Sequence, residues 1–193
     1  MNENPATLLE AHRRGEPAAA DALARRALRI GLKTATGILR GQEQVRDIAQ
    51  DIAIEVLRGA VRIRNPDTLD AWIHRIAVRH TMRLIGKHRQ RVTRETPLDD
   101  VPEGLEPRAA DSPYDDAIRA ERAAALNAAI AVLPAKQRTA VILRYVHDLT
   151  HQQVADAMGI RAGTASALIS RATATLRTIQ ALDDLMDREG GER

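Results

Sequence analysis

Apolar residues recur along most of this chain at steps of three and four, the spacing of a helix with one buried face. No stretch shows the strict alternation of a half-buried strand. In residues 5–32 the series is Leu8, Leu9, Ala20, Leu23, Ala27, Leu28 and Leu32, interrupted by RGEP at 14–17. The run QVRDIAQDIAIEVLRGAVRI places Val45, Ile48, Ala49, Ile52, Val56 and Ala60 on one stripe, which Ile54 and Leu57 widen. RNPD at 64–67 breaks the pattern. Asp67 or Thr68 can then cap a helix through Trp72, Ile73, Ile76, Ala77, His80 and Leu84.

From Thr96 to Asp116 the periodicity stops, and TPLDDVPEGLEPRAADSPYDD is rich in Pro and acid, the signature of a flexible linker. At ~3.3 Å per residue such a segment extends to roughly 70 Å, about two turns of B-DNA at ~34 Å each. Helical spacing returns from Ala117 to Val132, and Pro134 opens the next helix, where its missing N–H costs nothing. The chain thus reads as all-α, with two small helical domains at 1–94 and 117–182, an acidic linker at 95–116 and a frayed tail at 183–193.

HQQVADAMGIRAGTASALISRA, residues 151–172, has the rhythm of a helix-turn-helix. Thr150 and Gln153 fit a capping box that starts a helix, and Gly159 can take the positive φ that ends it. A second helix starts near Ala162 and buries Ala165, Ile169, Ala172 and Leu176. Its other side presents Arg161, Thr164, Ser166, Ala167, Leu168, Ser170 and Arg171. Ser and Thr bond bases or phosphates, and Ala or Leu meets a thymine methyl. With two arginines this surface can read sequence but grips weakly, so further affinity has to come from elsewhere in the chain.

Charge distribution points to where. The net charge is only +3. Yet residues 1–94 carry 18 Lys and Arg against 10 Asp and Glu, while 95–121 carry 2 against 9. Arg75, Arg79, Arg83 and Lys87 recur every four residues, thickened by His80, His88, Arg89, Arg91 and Arg94, with no acid between Arg75 and Arg94. Solvated faces usually mix signs, so this stripe points to a nucleic-acid phosphate backbone. Trp72 at the head of that helix either anchors the core or stacks on a base.

Composition narrows the rest. Cysteine and Phe are absent, and Trp72, Tyr114 and Tyr145 are the only aromatics. A core of Ala, Leu, Ile and Val with so few rings suits packed helices. No disulfide frame or Cys metal site is available, and the amino-terminal segment has charges where a secretory signal needs an apolar run. A cytoplasmic protein without a membrane partner is expected. His147 and His151 are spaced for a shared metal but lack a third ligand, and a surface feature is the expected reading. There is no Gly-rich phosphate loop and no nucleophile with an evident base, so no catalytic residue, metal or cofactor is assigned and the chain is not read as an enzyme.

Three stretches together carry a resemblance: RDIAQDIAIEVLRGAVRI, DTLDAWIHRIAVRH, and LPAKQRTAVILRYVHDLTHQQVADAMGIRAGTASALISRATATLR. They resemble bacterial sigma-70-family factors, in particular the extracytoplasmic-function (ECF) group that keeps only regions 2 and 4. The likeness covers about residues 6–94 and 117–180. Leu133, Pro134, Gln137 and Arg138, with LRY at 143–145, carry the region 4 pattern, and Asp47 and Gln50, with Ala71, Trp72 and the Arg75–Ala77 run, carry the region 2 pattern. The resemblance implies an alternative sigma factor that directs promoter-specific initiation. Asp47, Gln50, Asp51, Ile54 and Arg58 would dock on the β′ clamp helices of core RNA polymerase. Arg62, Arg64, Asn65, Asp67, Trp72, Arg75, Arg79, Arg83 and Lys87 would handle the −10 element of promoter DNA and assist melting. Region 4 would hold the β flap and read the −35 element with Arg161 to Arg171. An anti-sigma factor stands as an open further partner.

The chain departs from the family at two places. Ala53 and Leu57 stand where Phe and Trp are common, which leaves a smaller region 2 core. Ala165, Ser166, Ala167 and Leu168 replace a Val-Lys-Ser-Arg-like run and remove two typical basic contacts. The rival reading is a helix-turn-helix transcriptional regulator that does not associate with polymerase.

Overall fold

The computed structural model describes residues 4–39, 43–94 and 125–190, so the acidic linker expected at 95–116 lies outside the described residues. All regular structure among the described residues is helical. Helix α1 is Pro5–Arg13, α2 Pro17–Ile38 and α3 Glu43–Gly59. Two 3₁₀ turns, Ala60–Arg62 and Pro66–Thr68, lead to α4, Leu69–Arg94. In the second half α5 is helical over residues 125–132. It is followed by α6, Ala135–Val141, a π-helical turn at Ile142–Val146, α7, His151–Met158, and α8, Ala162–Gly190.

Local chemistry sets most of these limits. Asn4 caps α1 by accepting from the Ala6 N–H at 2.9 Å, and Pro5 and Pro17 stand at helix starts where no N–H is missed. Before α4 the capping side chain is Asn65, which accepts from the Asp67 N–H at 3.1 Å. Thr68 instead turns its hydroxyl back to the Asn65 carbonyl at 2.7 Å. The cap expected at Asp67 or Thr68 is therefore displaced upstream, because a 3₁₀ turn is inserted ahead of the helix.

Helices α1 to α4 enclose one core, with Leu9, Leu23, Ile52, Leu69, Ile73 and Ile76 fully buried. Truncating such a side chain to Ala costs about 2–5 kcal/mol. Ala53 is buried here and Leu57 packs against this core, so the missing rings are replaced by smaller side chains within a closed interior. Residue Leu32 is 40% exposed and stands off this core. Helix α1 also braces the segment after α3: the His12 ring meets the Leu57 carbonyl at 3.0 Å, and Arg13 donates to the carbonyls of Val61 and Ile63.

A second core belongs to α6, α7 and α8, with Ala140, Leu143, Val154, Ala155, Ala157, Ala165 and Ile169 buried. Val78 of α4 is buried in the same cluster and Met82 packs against it. The two halves of the chain are thus joined by packing as well as by sequence, with α4 against α7 and α2 against α6.

Candidate nucleic-acid interface

The π turn and α7 set up the helix-turn-helix. Thr150 accepts from the Gln153 N–H at 3.3 Å, and the Gln153 side chain accepts from the Thr150 N–H at 2.8 Å, completing the expected capping box. Gly159 ends α7 at φ 66°, a region side chains with a Cβ rarely occupy. Ala165, Ile169 and Ala172 are buried and Leu176 is half-buried, as the spacing predicts.

On the outer side of α8, Arg161, Thr164, Ser170 and Arg171 are exposed. Ser166 and Ala167 are half-buried, and the Ser166 hydroxyl lies 3.3 Å from His151 Nδ1. Leu168 is half-buried and packs against the cluster that contains Val78. An apolar side chain at this position fits that contact, whereas a charged one would be drawn out of water.

In the first half, α3 carries Asp47, Gln50, Asp51, Ile54 and Arg58 exposed on one element, and Ile54 is 46% exposed beside two carboxylates. Where α3 meets the 3₁₀ turns there is a groove of about 520 Å³ lined by Glu55, Arg58, Gly59, Arg62, Ile63, Arg64, Thr68 and Trp72. That volume lies in the range of small-ligand sites and admits a nucleobase. Gly59 is required there: a Cβ would fall 2.7 Å from Cζ2 of Trp72, so its absence lets the indole lie against α3. Trp72 is half-buried against the first core and also lines the groove. Three arginines face one acid in this groove, which favours an anionic ligand.

The basic stripe of α4 is less free than its sequence indicates. Arg75, Arg79, Arg83 and Lys87 are exposed, as are Arg62, Arg64, Asn65 and Asp67. Arg79 is paired with Glu55 of α3, and His80 meets the same carboxylate at 2.6 Å. Burial pushes the Glu55 carboxyl up, but the hydrogen bonds and charges of His80 and Arg79 together hold it below its ordinary value. Arg75 donates to the Asp156 carbonyl at 3.0 Å, at the end of α7. Arg83 and Lys87 have no ion-pair partner among the described residues. His88, Arg89, Arg91 and Arg94 lie outside the described side chains.

Sequence reasoning missed the acid because Glu55 is on another helix. It also missed a part-buried chain at the seam between the halves. Thr34 Oγ1 lies 3.0 Å from His147 Nε2, and His147 Nδ1 lies 3.1 Å from His74 Nε2. The expectation that His147 is a surface feature is corrected: it is half-buried and its ring meets Thr34 of α2 and His74 of α4. His74, between the buried positions Ile73 and Ala77 of the same helix, was the available signal. No group of three metal-ligating side chains occurs among the described residues. Nor is any helix described long and apolar enough to cross a membrane.

Residues 123–176 match the Sigma-70, region 4 family. The chain is 31% identical over 172 residues to the ECF RNA polymerase sigma factor SigM of Mycobacterium tuberculosis, covering 89% of this chain and 82% of that one. Among solved structures it is similar to the sigma factor RpoE in complex with the anti-sigma factor NepR from Bartonella quintana, with a TM-score of 0.67 and 19% identity over 81% of this chain and 93% of that chain. It is also similar to CnrH in complex with the cytosolic domain of CnrY, with a TM-score of 0.62 and 19% identity over 94% of this chain and 99% of that chain. Relationship to SigM at this identity over most of both chains gives the assignment: the chain belongs to the ECF sigma factors of the sigma-70 family.

Proposed function

We propose that this chain directs core RNA polymerase to a specific class of promoters. The observation that carries the reading is the division of surfaces within a family member. One helix offers an exposed apolar residue among acids, one groove offers arginines around an indole, and the start of α8 offers hydroxyls and two arginines. Asp47, Gln50, Asp51, Ile54 and Arg58 form the polymerase-docking face on α3. Exposed Tyr145 and Val146 of the π turn give the second half an apolar foothold for the β flap.

The groove beside Arg62, Arg64 and Trp72 holds the −10 strand. An unstacked base lies against the indole and its phosphates meet the arginines, with stacking worth about 1–3 kcal/mol per base. Arg83 and Lys87 extend this contact along α4, and Arg161, Thr164, Ser170 and Arg171 read the −35 element. An anti-sigma partner is consistent with the two structural relatives, both of which are complexes, RpoE with the anti-sigma factor NepR. A regulator that leaves polymerase alone would have no use for Ile54 exposed among carboxylates.

Co-elution with purified core polymerase tests the docking face. The wild-type chain is expected to bind, and Asp47→Lys with Asp51→Lys to weaken binding at least tenfold with helical content unchanged. Failure of the wild type to bind, or full binding by the double variant, overturns the assignment of this face.

A further inference from the structure

The seam between the two halves contains two titratable rings in contact. His74 is 5% exposed, and its ring meets that of His147 edge-on at 4.7 Å between centroids. The hydrogen bonds fix the protons. His74 Nδ1 lies 2.7 Å from the Asp70 carbonyl, which only accepts, so Nδ1 carries the hydrogen and Nε2 is left as an acceptor. His147 therefore donates from Nδ1 to His74 Nε2, and its own Nε2 accepts from the Thr34 hydroxyl. The chain Thr34 to His147 to His74 to Asp70 is complete with both rings neutral. It joins α2 and α4 of the first half to the residue that ends the π turn of the second.

We propose that this chain is a proton-sensitive latch, which holds the two halves together while both imidazoles are neutral and releases them when protons are taken up. A first proton has to be buried at the seam; a second sets N–H against N–H where the rings now share one hydrogen. The surroundings give little relief. On α2, Lys33 adds like charge toward His147. On α4, Asp70 favours a charged His74, but its carboxylate is already held by Arg26 of α2 at 2.6 and 2.5 Å. Arg75 of α4 points to α7, where Gln152 holds the Asp156 side chain at 3.0 Å. Beside His147, Asp148 is paired with Arg144.

Burial lowers His74 below the ordinary 6.5 and, with the charges of His74 and Lys33, lowers His147 to about 4. A base whose pKa is depressed in the closed state favours closure above its open-state pKa. That preference is lost as pH falls from 6.5 toward about 4. Each proton taken up lowers the closed-to-open ratio by up to about tenfold per pH unit across that window. Opening also releases Arg75 from Asp156 and exposes Val78. The latch does not depend on the promoter reading.

The chain has no cysteine, so Arg29→Cys on α2 and Thr175→Cys on α8 give a clean pair of dye sites in the full-length protein. Energy transfer and far-ultraviolet circular dichroism are followed together from pH 8 to pH 4.5. Transfer is expected to fall below pH 6.5 with helicity retained, and to show no such transition with His74→Gln and His147→Gln together. A flat wild-type curve, the same transition in the double variant, or loss of helix at the same midpoint overturns the latch. Imidazole proton resonances of the wild type decide independently of how the variant folds. Two of them must titrate below 6.5 in step with the transfer signal, and ordinary titration of all of them overturns the proposal.

Discussion

Gly59 and Trp72 act as one unit at the edge of the groove. The missing Cβ leaves the space the indole ring occupies, and a methyl at 59 would enter that ring at 2.7 Å. Gly59→Ala is expected to displace the ring despite the better helix propensity of Ala, because overpacking of this kind costs about 1–3 kcal/mol against about 1 kcal/mol gained. Trp72 is the one tryptophan of the chain, so its fluorescence reports this directly. A single-stranded oligonucleotide should quench wild-type emission. Gly59→Ala should shift the emission and reduce the quenching several-fold. Unchanged emission and quenching in the variant would show that the ring is not held as described. Trp72 itself was legible in the sequence, but its dependence on Gly59 was not, since nothing local in a helix sequence says what lies across from a glycine.

Among the elements, α4 shows how tertiary contacts redistribute a charge pattern. Its sequence reads as four equivalent cations at four-residue steps. In the fold Arg79 is paired with Glu55, Arg75 caps the end of α7, and Arg83 and Lys87 remain open to a phosphate. Arg83→Ala should therefore lower the salt slope of DNA binding by about 1, the value of one phosphate contact. Arg79→Ala should lower it less, because that side chain has first to leave its carboxylate. Glu55→Gln should raise affinity by releasing Arg79. Equal slopes for wild type and Arg83→Ala would remove α4 from the DNA-binding surface. Elements set by near neighbours were readable: the Thr150–Gln153 capping box and the Gly159 stop follow from residues three to nine apart. Leu168 was not, since it faces a cluster that α4 helps to build.

For the molecule as a whole, the two helical units were legible from periodicity and from the acidic stretch between them, but their docking was not. The contacts that join them link residues 73 and 113 positions apart, through a histidine chain and a shared apolar cluster. Periodicity within a helix gives which face is apolar and says nothing of which distant helix covers it. Val78 and Met82 illustrate this: they lie on a second face of α4, away from Ile73, Ile76 and Ala77, and both pack with the second half of the chain. On the proposed function, polymerase and the first half supply most of the grip on DNA, and a weakly charged α8 is tolerated. That account stands or falls on selective initiation. Purified chain added to core RNA polymerase and genomic fragments, with transcript starts mapped, is the direct measurement. The account predicts discrete starts that core enzyme alone does not produce and that Asp47→Lys with Asp51→Lys abolishes. Retained DNA binding with no chain-dependent start on any fragment would contradict it.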